Sequence, residues 1–108
     1  MHWIDLVVAN LRSIDTLLAQ PQADTGEIFE QIDIGGMAMI RSAAKNFRYV
    51  TVAVNPARYP LIMHEMRANE GEVSFTTRYR LAGEAFSACA AYDGAITEYL
   101  TRTQPAGE

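Results

Sequence analysis

The sequence predicts an α/β fold: a βαβ unit of a parallel sheet followed by two or more helices. Two short apolar runs rich in β-branched residues, residues 4–9 (Ile-Asp-Leu-Val-Val-Ala) and 50–54 (Val-Thr-Val-Ala-Val), have the composition of strands buried on both faces. The stretch between them is long and largely helical in pattern, which is the crossover that parallel neighbours require. Beyond the second run, apolar residues recur at helical spacing almost to the C-terminus.

Taken in order, the first strand closes at Asn10, and Gln20-Pro21-Gln22-Ala23-Asp24 forms a loop. Asp24 or Thr25 then caps a short helix running to about Gln31. Gly35-Gly36 is expected to interrupt, with residues 37–47 resuming as helix and Met37, Ile40, Ala43 and Ala44 forming its inward stripe. Asn55-Pro56 closes the second strand and opens the next helix, Asn55 as cap and Pro56 in its first position. Tyr59, Ile62, Met63 and Met66 are placed on the buried side of that helix, and Gly71 ends it. Ser74 caps the last helix, continuing to about Arg102 with Leu81, Ala85, Cys89, Ile96 and Leu100 inward and Phe86 and Tyr99 broadening the stripe. Residues 1–103 are read as one domain and 104–108 as a tail. A two-stranded parallel sheet is a poor end state, so more sheet is expected from a partner chain, from self-association or from a preceding N-terminal portion.

Composition narrows the function classes. A net charge of -4 on 108 residues provides no broad basic face for nucleic acid or an anionic membrane, so neither is expected as a partner. Cys89 is alone and has no metal-spaced neighbour, and no apolar run reaches the roughly 18–20 residues of a membrane span; a cytoplasmic location is expected. His2 and His64 lie far apart with no carboxylate or thiol at ligand spacing, so no metal is expected. Arg67, Arg78 and Arg80 read as solvated helix-face cations, and the five methionines as packing filler.

The chemistry-bearing unit is Ile32-Asp33-Ile34-Gly35-Gly36 leading into a helix with Arg41 and Lys45. Glycines at a helix start let a ligand approach the backbone, and the first N–H groups of a helix have no internal partners, so an anion is the natural occupant. Two readings of the charged pair stand side by side. In one, Asp33 is a helix cap and Lys45 a solvated cation favoured near a helix C-terminus. In the other, acid and ammonium bracket a nucleotide-sized ligand.

Gln31-Ile32-Asp33-Ile34-Gly35-Gly36, Arg41-Ser42-Ala43-Ala44-Lys45-Asn46 and Val50-Thr51-Val52, with Ile4-Asp5-Leu6-Val7-Val8 before them and Ala91-Tyr92-Asp93 and Tyr99-Leu100 after, resemble the IMP cyclohydrolase domain of the bifunctional AICAR transformylase/IMP cyclohydrolase family. The similarity is to the later half of that Rossmann-like, methylglyoxal-synthase-like domain. A segment carrying phosphate-binding loops and a catalytic lysine has no counterpart in these residues. The resemblance implies closure of formyl-AICAR to IMP with loss of water, in purine biosynthesis, without metal or organic cofactor, once a partner or self-association completes the domain. It further implies Asp33 and Lys45 as catalytic residues, and Asn10, Arg12, Ile34, Gly35, Gly36, Arg41 and Asn46 around a purine nucleotide. Arg12 stands where the family has a tyrosine, Phe47 where it has a histidine, and Ala88-Cys89 in place of a His-Thr pair. Arginine cannot repeat the proton role of a phenol, although it can hold an anion. The alternatives are a non-catalytic nucleotide-binding or subunit-interaction paralogue, or a related intramolecular cyclase acting on another substrate.

Overall fold

The computed structural model describes residues 5–9, 18 and 25–102. Strand β1 (Asp5–Val8) pairs in parallel with β2 (Val50–Ala53), from Asp5 opposite Val50 to Val8 opposite Ala53. The Ala9 N–H extends the ladder by donating to the Ala53 carbonyl at 2.9 Å. Helices α1 (Thr25–Glu30) and α2 (Ile34–Lys45) lie between the strands in sequence. A 3-10 turn (Pro56–Arg58), α3 (Tyr59–Ala68) and α4 (Phe75–Arg102) follow β2. The architecture is the predicted one, a βαβ unit followed by helices. The loop at 20–24, with the cap candidate Asp24, and the tail at 104–108 fall outside the described residues.

Local chemistry sets the boundaries. The Asn55 side chain accepts the Ala57 N–H at 3.0 Å with Pro56 in the first position, and the Ser74 hydroxyl accepts the Thr77 N–H at 3.2 Å. Both bonds satisfy N–H groups that a helix start leaves without partners. Glu70 (φ 56°) and Gly71 (φ 86°) adopt left-handed backbone to turn the chain from α3 toward α4, and only glycine does so without steric cost.

One expectation is corrected here: Gly35 and Gly36 do not interrupt. Helix α2 begins at Ile34 and takes both glycines into its first turn, because Asp33 is its N-cap and accepts the Gly36 N–H at 2.7 Å. The cap bond offsets the low helix propensity of glycine.

The main core joins Met37, Ile40, Ala43 and Ala44 of α2, Val52 of β2, and Ala82, Ala85, Cys89 and Tyr92 of α4. Alanines on both helices let them approach closely. A second cluster joins Ala53, Ile62, Val73 and Leu81, with Tyr59 and Met66 packed against it. Met63, Phe86 and Leu100, expected to be buried, are exposed. The inward stripes are narrower than the apolar pattern; Tyr99, expected on the stripe, is buried and meets Phe29 of α1, ring centroids 6.2 Å apart. Val7, paired with Val52, packs on the main core, while Leu6 and Val8 on the opposite face of β1 are 44% and 49% exposed.

Glu65 ties α3 to the start of α4: its carboxylate accepts the Ser74 N–H at 2.8 Å and the Thr77 hydroxyl. Burial pushes its pKa up and is the largest single influence, but the Thr77 and Ser74 hydrogen bonds together outweigh it and hold the carboxyl below its ordinary value of 4.5. A carboxylate depressed by folding stabilises the native state above its unfolded pKa, and that stabilisation is lost as pH falls through the lower folded value. Glu65→Ala is therefore expected to cost about 1.5–3 kcal/mol at neutral pH, the scale of losing hydrogen bonds to a charged group. Urea titrations at pH 7 and pH 3 check this: the wild-type advantage should shrink at the lower pH.

Candidate functional site

Helix α2 packs on the sheet and is joined to β2 by the four residues Asn46–Tyr49, so it runs against the strand direction. Its N-terminus therefore lies at the carboxyl ends of β1 and β2, and its C-terminus at their amino ends. The carboxyl end of an open parallel sheet is where such folds place ligands.

Asp33 sits at that end with its side chain exposed to solvent. One carboxylate oxygen is taken by the Gly36 N–H, and the Asp33 backbone N–H donates to the Tyr92 hydroxyl at 3.1 Å. A Cβ at Gly36 would stand 2.2 Å from the Asp33 Oδ2 atom, so a larger residue there would make the Asp33 carboxylate shift. Gly35 has no such constraint, because a Cβ at that position meets nothing within 4 Å. Beside it, Ile34 is 72% exposed, so this first turn presents open backbone and apolar surface outward. The Met37 N–H is bonded within the helix at 3.3 Å to the Asp33 carbonyl, which leaves Ile34 and Gly35 as the outward N–H groups of the turn.

Lys45 lies in the last turn of α2 and is exposed. The rise of about 1.5 Å per residue puts about 18 Å along the axis between it and Asp33. The structure thus sets the two expected catalytic residues at opposite ends of one helix. Arg41 is engaged by Asp93 of α4 in an exposed ion pair, and the Asn46 side chain donates to the Ser42 carbonyl at 3.0 Å, finishing the helix. Asp33, Ile34, Gly35 and Gly36 are brought together; Arg41, Lys45 and Asn46 are spread along the remainder of α2. Asn10 and Arg12 lie outside the described residues.

An open groove of about 560 Å³ flanks the carboxyl end of β2, lined among others by Val54, Asn55, Glu84, Ser87 and Ala88. At its rim Glu84 takes a two-pronged ion pair from Arg58, with distances of 2.7 and 3.1 Å, and this contact raises the guanidinium pKa through the hydrogen bond first and the charge second. The groove, the Arg58–Glu84 pair and the Tyr92 contact were not legible in the sequence, since each joins distant segments; for Tyr92, the signal was its place in the Tyr92-Asp93 pair. Burial raises the Cys89 thiol pKa, so that residue is a packing element. Among the described residues no group of three His, Cys, Asp or Glu side chains is placed to hold a metal, and no helix is long and apolar enough to cross a membrane.

These features define a parallel α/β protein whose candidate site is an acid-capped, glycine-led helix start at the carboxyl end of its strands. The model of the AICARFT/IMPCHase bienzyme family matches residues 43–108, and the chain belongs to that family. The bifunctional purine biosynthesis protein PurH of Microcystis aeruginosa is 47% identical over 96 residues, which cover 89% of this chain and 19% of that protein. The chain thus spans about a fifth of the length of that curated relative. The crystal structure of ForH superposes with a TM-score of 0.75 at 36% identity, covering 88% of this chain and 50% of that one.

Proposed function

We propose that this chain supplies the later part of an IMP cyclohydrolase site, closing formyl-AICAR to IMP with loss of water when a partner chain or second copy contributes the remaining sheet and loops. The observation that supports this most is the open first turn of α2: an anchored acid and bare Gly35 backbone at the carboxyl end of the strands, in a chain 47% identical to a purine biosynthesis protein. In this reaction a carboxamide nitrogen attacks a formyl carbonyl of the same molecule, so the protein fixes a conformation, stabilises an oxyanion and moves protons. Asp33 spends one oxygen on its cap and keeps the other to orient or deprotonate the carboxamide nitrogen. Lys45, at the far end of α2, serves the oxyanion across a nucleotide-sized span or in the site of a neighbouring copy. Asn10, Arg12, Ile34, Gly35, Gly36, Arg41 and Asn46 are proposed to line the nucleotide.

The test is complementation. Mixing the 108-residue chain with the N-terminal cyclohydrolase half of a relative is expected to give IMP from formyl-AICAR, followed by absorbance, where neither piece does so alone. No turnover with any supplied half removes the proposal.

A second reading, a non-catalytic nucleotide-binding or subunit-interaction protein, is favoured by the engagement of Arg41 with Asp93. Calorimetric binding of IMP without turnover, unchanged in Asp33→Ala, would select it.

A further inference from the structure

The Asp33 cap is held from two directions. Its carboxylate is fixed by the Gly36 N–H at 2.7 Å, and its main chain by the hydroxyl of Tyr92, fifty-nine residues later, at 3.1 Å. The two contacts differ in setting. Asp33 is exposed, whereas Tyr92 is 8% exposed and belongs to the main core with Met37, Ile40 and Ala85. The next residue of α4, Asp93, also reaches α2, but its pair with Arg41 is exposed on both sides, and such pairs are worth little in water. The phenol is thus a part-buried polar link between α4 and the start of α2.

The backbone at Asp33 has φ −91° and ψ 88°, outside the helical region, and no helical hydrogen bond fixes it from the N-terminal side. Whatever holds its N–H determines the direction in which the Cα–Cβ bond projects, and hence where the second carboxylate oxygen lies. A phenylalanine would fill the same core space, so packing alone does not require the hydroxyl. Among the described residues its hydrogen-bond partner is Asp33.

We infer that Tyr92 is a positioning residue for Asp33: by accepting the Asp33 N–H, its hydroxyl sets the cap from which the Asp33 carboxylate faces the site. The positioning itself stands on geometry alone; its effect on turnover rests on the function proposed above. Tyr92 touches no substrate in this account and acts through Asp33.

Tyr92→Phe removes the acceptor and keeps the ring. In the isotopically labelled full chain, amide hydrogen exchange at Gly36 is expected to speed up about tenfold relative to the β2 amides, which report global opening and should move together with the melting temperature. In the complemented enzyme, kcat should fall about tenfold with a smaller change in KM, because no residue proposed to line the nucleotide is removed while the acid is misaimed. Unchanged Gly36 exchange relative to β2 overturns the positioning. A moved Gly36 amide with unaltered kcat, where Asp33→Asn lowers kcat in the same assay, overturns its importance for the chemistry. If complemented wild type does not turn over, or Asp33→Asn leaves kcat intact, the proposed function fails and the exchange result alone decides the positioning. Should Tyr92→Phe not fold, the wild-type Asp33 amide carries the test: protection comparable to Met37 supports the contact, and exchange at an open-loop rate overturns it.

Discussion

Lys45→Ala is expected to lower kcat of the complemented cyclohydrolase by about two to three orders of magnitude, the range for removing one group that stabilises a developing oxyanion or relays a proton. The same change should barely affect folding. Lys45 is exposed in the last turn of α2, where a cation gains only about 0.3–1 kcal/mol from the helix dipole. That contrast makes the experiment decisive: a large loss of turnover with a nearly constant melting temperature assigns the ammonium to the site. A kcat within twofold of wild type removes Lys45 from it and leaves a solvated cation at a helix end. Because about 18 Å of helix separates Lys45 from Asp33, a mixture of Lys45→Ala and Asp33→Ala chains adds information. Recovery of activity on mixing shows the two residues serving one site from different copies.

The largest expected effect on stability is at Ile40. It is 1% exposed and stands in the middle of α2, within the cluster that joins α2 to Val52 and to the Ala82 and Ala85 surface of α4. Alanines on both facing helices leave little side chain able to shift into a void, so Ile40→Ala loses both transfer free energy and packing. The expected cost is about 2–5 kcal/mol. A domain of this size has about 5–15 kcal/mol in total, so the variant approaches the limit of folding. Ile40→Val, expected at about 0.5–1.5 kcal/mol, keeps the measurement within range. Urea denaturation followed by far-ultraviolet circular dichroism gives both values, and equal midpoints for wild type and Ile40→Val would show that α2 is not anchored as described.

The parts legible in the sequence were those written in short-range chemistry. The β-branched runs, the Ser74 cap and the Met37/Ile40/Ala44 stripe each carry their own local signal and appear where expected, whereas Asn55-Pro56 opens a 3-10 turn and α3 begins only at Tyr59. Gly35-Gly36 misled because glycine reads as a breaker by propensity, whereas one side-chain bond from Asp33 recovers the helix start. Met63, Phe86 and Leu100 misled because periodicity shows which residues share a face but not how far a neighbour covers it. For the candidate site, the grouping of Asp33 with Ile34, Gly35 and Gly36 is a sequence-local fact and was visible. The reach of Tyr92 to Asp33 and of Asp93 to Arg41 depends on how α4 crosses α2, which no short window contains.

Strand β1 pairs with β2 alone among the described residues and leaves Leu6 and Val8 half open to water. Backbone donors and acceptors along its outer side are the kind of sheet edge to which a further strand can add. Under the proposed function, the docking that shields this face is the same event that assembles the reaction centre.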